Sequence, residues 1–150
     1  MRPCGFLLLK NAKSLPASRY ICEKRHDMKK CRYFVDKEFQ RCTPSCSIED
    51  MDDEFLYMLD SIRHEAGIPL VLNSAYRSPA YERSKGRSGT GAHTYGLAVD
   101  IRCNDGRNRL KIMEAALRCG IRRIGVAKTY IHLDQGDRVG LPQNIWTYYE

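Results

Sequence analysis

The sequence predicts a mixed helix-and-strand domain, and two kinds of periodicity carry that expectation. Leu97, Val99 and Ile101 alternate with Ala98, Asp100 and Arg102, and Ile131 and Leu133 alternate with Tyr130, His132 and Asp134. A period of two is that of a strand with one face buried. Met51, Phe55, Leu56, Leu59 and Ile62 instead recur at helical spacing, as do Leu110, Ile112, Met113, Ala116 and Leu117. A chain of 150 residues is long enough for one domain around one core.

The elements follow in order. Ser47-Ile48-Glu49-Asp50 has the form of a capping box and is expected to start the first long helix. Gly67 and Pro69 end it. Leu70-Val71-Leu72 reads as a buried strand running into Asn73–Ser78. Ala80–Ala92, with glycines at 86, 89 and 91, reads as a mobile loop bordering a cleft. It lacks the Gly-Lys-Ser/Thr ending of a phosphate loop. Gly96 allows a bend into the strand that carries Asp100. Asn104 or Asp105 can cap the second long helix, and Gly120 ends it. Arg123–Ala127 reads as a short strand leading to the His132 strand. The aromatic tail, 143–149, is expected to add a final strand whose rings pack in the core, with a carbohydrate-facing aromatic shelf as the alternative.

Pairing the two alternating strands sets Asp100 beside His132, with His93 reaching in from the preceding loop. Two imidazoles and one carboxylate with an open fourth position form a ligand set of the catalytic zinc type. Three hydrogen-bonded polar residues without a metal are the alternative.

The motifs around these residues narrow the choice. His93-Thr94-Tyr95-Gly96-Leu97-Ala98-Val99-Asp100 resembles the His-x-x-Gly-x-Ala-x-Asp signature of the zinc D-alanyl-D-alanine carboxypeptidases and L-alanyl-D-glutamate endopeptidases. These belong to the Hedgehog/DD-peptidase superfamily. Ser74-Ala75-Tyr76-Arg77-Ser78 resembles the family's Ser-x-Tyr-Arg-Ser segment, and Ile131-His132-Leu133-Asp134 its third-ligand strand. The three blocks occur in family order across residues 36 to 134.

The resemblance implies an α+β fold with a small central antiparallel sheet flanked by helices. It also implies one Zn2+ held by His93, Asp100 and His132, and hydrolysis of peptides in peptidoglycan. It assigns Arg77 to substrate contact and oxyanion stabilisation. A guanidinium suits that role because it stays charged and offers forked donors. An ordinary salt bridge from Arg77 to Asp100 or Asp134 is the alternative. In size and single-domain organisation the chain suits a small phage-type lysis enzyme.

Two departures from the family pattern stand out. Gly91 occupies a position where a serine is usual, with Ser88 or Thr90 as substitutes. Thr129 occupies the position where many relatives carry an acid. Asp134 is the nearest replacement, either as general base or as a residue that orients a ligand. These departures keep open a non-catalytic, zinc-containing wall-binding domain of the same fold.

Charge divides the chain. Residues 1–47 hold 11 Lys/Arg against 4 Asp/Glu, whereas residues 48–150 hold 14 of each. The expected organisation is a basic, cysteine-containing extension over 1–35 and a peptidase domain over 36–150. A basic arm can contact an anionic polymer, though a solvated lead-in is the simpler reading. No nucleic-acid-binding module is recognisable, and no stable protein partner is expected. Met1–Lys10 is too short in its apolar run for a signal peptide, and no stretch is long enough to span a membrane. The expectation is synthesis in the cytoplasm and action at the cell wall. Seven cysteines without a Cys-x-x-Cys pair read as free thiols. A second zinc at Cys31, Cys42 and Cys46 with His26 is the minority reading.

Overall fold

A computed structural model describes residues 31–148. Four α-helices and five strands form an α+β fold: α1 (Asp36–Gln40), α2 (Asp53–Ala66), β1 (Leu72–Ser74), α3 (Pro79–Ser84), β2 (Ala98–Arg102), α4 (Gly106–Arg118), β3 (Arg123–Val126), β4 (Tyr130–Asp134) and β5 (Asn144–Thr147). The sheet order is β1-β2-β4-β3-β5. Every pairing is antiparallel except that of β3 with β5.

One face of the sheet is apolar. Val99, Ile101, Ile124, Ile131 and Leu133 are fully buried there. They share a core with Phe55, Leu56, Leu59 and Ile62 of α2 and Ile112, Ala115 and Ala116 of α4. Burial of side chains this size stabilises by about 1.5–3 kcal/mol each before conformational entropy is subtracted. The alternation of β2 and β4 thus turns Asp100 and His132 to the opposite face, in direct register with each other.

Several elements differ from the sequence reading. The Ser47 capping box does form: Ser47 Oγ accepts from Glu49 N at 3.2 Å, and Asp50 Oδ2 accepts from Ser47 N at 2.8 Å. It heads only a 3₁₀ turn, Ile48–Asp50, and Asp52 caps α2 instead by accepting from Phe55 N at 2.9 Å. The expected loop after Arg77 contains α3. Ser78 caps it, accepting from Tyr81 N at 3.1 Å, and Pro79 opens the first turn, a Ser-Pro start that local chemistry favours. In α4, capped by Asp105, the expected apolar residues Leu110 and Leu117 are exposed, because the face toward α2 is Ile112, Ala115 and Ala116. β5 extends the sheet at its edge and leaves Trp146 half-buried and Tyr148 exposed, so the tail rings are not core residues.

Tyr33 and Phe34, assigned by sequence to the extension, pack on the body. Phe34 is buried, and Tyr33 N donates to Asp60 Oδ1 at 3.0 Å. Cys4, Cys22, His26 and most of the basic arm lie outside the described residues.

His93 is carried by a 3₁₀ turn, Ala92–Tyr95, which Gly96 ends at φ +67°. A β-carbon on Gly96 would lie 2.5 Å from the Asp50 carbonyl oxygen and 2.9 Å from Asp52 N. Both the left-handed conformation and the contact with rigid backbone exclude a side chain. Gly96→Ala is therefore expected to destabilise by about 2–4 kcal/mol in denaturant unfolding. Gly91→Ala, whose added carbon meets nothing within 4 Å, is expected to stay within about 0.5 kcal/mol of the parent. Equal losses in the two variants would contradict this account of the turn.

Candidate metal centre

β2 and β4 place Asp100 opposite His132, and the 3₁₀ turn ahead of β2 brings His93 over them. All three are buried. His93 Nε2 lies 3.5 Å from Asp100 Oδ1, and His132 Nδ1 lies 2.9 Å from the same oxygen. One ligand atom from each residue falls within 4.8 Å of the others. A tetrahedral zinc with bonds of about 2.0–2.2 Å separates its ligand atoms by about 3.3–3.6 Å. The three donors need only small adjustments to meet that spacing.

The outer atoms of the same residues decide which lone pairs face inward. His93 Nδ1 is 2.5 Å from the Ala75 carbonyl oxygen, which can only accept, so Nδ1 carries the proton and Nε2 is the free donor. His132 Nε2 is 2.6 Å from Asp134 Oδ2, which leaves Nδ1 to face the centre. Asp100 Oδ2 accepts from Arg77 NH2, so Oδ1 alone points at the two imidazoles. Outer hydrogen bonds of this kind orient metal-bound histidines. The residues therefore fit a zinc ion with three protein ligands and one open position.

The titration behaviour follows from burial and these partners. Burial dominates at His93 and holds its pKa below the ordinary value, so the ring is neutral and able to ligate. Burial also acts to lower His132, but hydrogen bonds to Asp100 and Asp134 outweigh it and raise the pKa. Asp100 is the converse. Burial acts to raise it, and its bonds to His132 and His93 hold it far below the usual carboxylate range.

Asp134 lies on the far side of His132 from the centre and is 1% exposed. Besides the histidine, it accepts from Arg123 Nε and Gly136 N, each at 2.6 Å. Arg123 is its cross-strand neighbour. Burial would raise its pKa, but the His132 bond and its other partners hold it low.

Arg77 makes the salt bridge weighed as the alternative to its substrate role, and makes it to Asp100, not to Asp134. Its Nε donates to Ser74 Oγ at 2.8 Å, and NH1 lies 3.4 Å from Glu82 Oε1. Arg77, Arg87, Tyr130 and Tyr148 line an open cleft of about 140 Å³ with the His-Asp-His triad. Ser88 and Thr90, the residues weighed as substitutes for the family serine, bond to each other at 2.9 Å and do not line that cleft. Thr129 is exposed on the turn before β4.

A family model for Peptidase M15 matches residues 32–134. The chain belongs to the peptidase M15 family. No curated protein matches it. Membership in M15 makes the chain a member of a metallopeptidase family, and the triad supplies a site that fits zinc. Trp146 and Tyr148 lie beyond the matched segment. Among the described residues, no helix is long and apolar enough to cross a membrane.

The sequence reading missed Glu82; it set Tyr130 on the face of His132, and it held Tyr148 only in the alternative of an aromatic shelf. Glu82 was hidden inside the expected loop, although helix α3 carries it inward to 5% exposure. The second zinc does not form among the described residues, where His93, Asp100 and His132 are the one converging ligand group. Cys42 and Cys46 instead direct their thiols at the carbonyls of Glu38 and Phe39.

Elemental analysis of the purified chain is expected to give one zinc per molecule. His93→Ala and His132→Ala should each lose it. Full zinc content in both variants would remove the triad as the metal site.

Proposed function

We propose that the chain is a zinc-dependent peptidase that hydrolyses peptide bonds in peptidoglycan stem peptides or cross-links, acting on the bacterial cell wall as a small endolysin-type enzyme. The observation that carries this reading is the orientation of the triad: every outer atom is tied, and the inner donors face a cleft. His93, Asp100 and His132 would hold the ion, which when bound supplies Lewis acidity and an acidified water.

The remaining chemistry belongs to the chain. Arg77 is fixed by Ser74, Glu82 and Asp100, and donors on both its terminal nitrogens remain for a substrate carbonyl oxygen. Fixing it in advance removes reorganisation during the reaction. Tyr130 and Tyr148 have pKa values raised first by the partial desolvation of their rings, so their phenols stay protonated and act as donors. Asp134 is engaged on both oxygens and faces away from the cleft, so we assign it to orienting His132 rather than to proton transfer.

One observation favours the second reading, a wall-binding domain that does not cut. Apart from Asp100, no carboxylate lines the cleft, so an acidic general base is missing among the described residues. The two readings separate by mass spectrometry of purified peptidoglycan fragments after incubation with the zinc-loaded chain. New fragment masses, abolished by a chelator, are expected. Retention of fragments with unchanged masses would establish the binding reading instead.

The role of Asp134 has its own test. Asp134→Asn is expected to weaken zinc affinity by about 10–100-fold, measured by chelator competition, with turnover largely recovered at saturating zinc. A general base would give the opposite result: unchanged affinity, and turnover lost by about 10²–10⁴-fold at full zinc occupancy.

A further inference from the structure

The charged side chains of the cleft are each held by two or more internal partners, with one exception. Arg77 and Asp100 hold each other, and both imidazoles are tied. Arg87 is different. Its guanidinium is held through one terminal nitrogen, NH1, 3.0 Å from Glu82 Oε1. No other hydrogen bond or ion pair engages its side chain among the described residues, and that side chain is 54% exposed at the cleft.

An exposed arginine is ordinarily a solvated surface charge of little consequence. Arg87 is anchored in a way that a surface charge is not. Glu82 is buried, and its carboxylate also approaches Arg77, so one anchor fixes two guanidinium groups relative to each other. The main chain adds a tie, with Arg87 N donating to the Glu82 carbonyl at 3.1 Å. The edge formed by Nε and the second terminal nitrogen remains open. That edge is the planar fork that pairs with a carboxylate through two parallel hydrogen bonds.

We propose that Arg87 is the binding residue for a carboxylate of the substrate peptide, and so sets which end of a peptide enters the cleft. This rests on the peptidase reading above. A stem peptide offers that chemistry in two places, its C-terminal carboxylate and the α-carboxylate of a γ-linked glutamate. Recognition of the first places the scissile bond next to a chain end, the geometry of a carboxypeptidase. Recognition of the second is compatible with cleavage inside a peptide.

The chain has one tryptophan, and Trp146 lies 5.4 Å from His132, so its fluorescence reports on the cleft. The probe is L-Ala-γ-D-Glu-L-Lys-D-Ala-D-Ala, with analogues amidated at the C-terminus, at glutamate, or at both. Stopped-flow fluorescence of the zinc-loaded full chain reads binding ahead of turnover. One of the two single amidations is expected to weaken binding by about 10–100-fold, the range of a charge-assisted hydrogen bond. Arg87→Gln should weaken the free peptide by the same factor and become indifferent to that amidation. Arg87→Lys should recover part of the loss. The sensitive position identifies which carboxylate is bound.

Three outcomes would overturn the proposal: no effect of either amidation, an equal loss for acid and amide in Arg87→Gln, or no saturable response in the parent chain. Cleavage is scored separately by mass spectrometry. An Arg87-dependent preference without cleavage would leave the subsite and remove the peptidase; cleavage without the preference would do the reverse.

Discussion

The register of β2 against β4 is the constraint on which the rest depends. Asp100 pairs with His132, Ser74 of β1 pairs with Asp100, and the row continues through Gly125 to Trp146. One line across five strands therefore holds an arginine anchor, two metal-ligand candidates, a gap and an indole. A slip of one residue would turn Asp100 and His132 into the apolar core and bring Ile131 or Leu133 to the cleft. Such a slip would bury ionisable groups among aliphatic side chains at a cost of several kcal/mol. The hydrophobic packing of Val99, Ile101, Ile131 and Leu133 therefore fixes the polar geometry on the opposite face.

That polar face is costly to assemble without internal partners. Asp100, Asp134, Glu82 and both histidines are buried. Each carboxylate is matched by fixed donors: Arg77 for Asp100, Arg123 and Gly136 for Asp134, two arginines for Glu82. Satisfied networks of this kind hold side chains in one arrangement, whereas deleting one member leaves a buried charge unpaired. The result is a set of donors positioned before any substrate arrives. Preorganisation of this type is where electrostatic catalysis gets most of its effect.

Much of this was legible in the sequence. Alternation in 97–102 and 130–134 identified the strands, their inner faces and the pairing of Asp100 with His132, because a period of two is a direct imprint of one-sided burial. The facing of the two strands brought His93, Asp100 and His132 together on paper, and only the resemblance to a known family favoured zinc over a hydrogen-bonded trio. What was not legible depended on tertiary contacts. Asp134 could equally have been a base or an orienting residue, and its cross-strand partner Arg123, eleven positions earlier, decides its surroundings. Glycines at 86, 89 and 91 drew the whole of 80–92 into a loop, although Ser78-Pro79 is a helix start and places Glu82 inward. In α4 the helical period was right and Ile112, Met113 and Ala116 of the expected face pack on the core, but its edges, Leu110 and Leu117, are exposed while Ala115 is buried. Leu110 and Leu117 outrank Ala115 in hydrophobicity, yet close packing against α2 selects the small residues.

Tyr148, which lines the cleft just after β5, lies outside the matched segment 32–134, and the placement of this aromatic tail has a specific physical cause. Gly125 sits between His132 and Trp146 in the cross-strand row. A β-carbon there would fall 2.7 Å from the Tyr148 ring and 2.8 Å from the Trp146 ring. Without one, the indole leans across the bare backbone to within 5.4 Å of the His132 ring, and Tyr148 packs 5.5 Å from Tyr130. The connection into β5 is tied down as well. Arg138 reaches back to Asp52, with NH1 2.7 Å from Oδ1, at the cap of α2. The Asp52 backbone N–H in turn donates to the Gly96 carbonyl, beside the turn that carries His93. The aromatic tail and the His93 turn are thus referenced to the same helix cap. A strand added to the sheet edge can in this way shape substrate access to a site whose ligands all lie elsewhere in the chain.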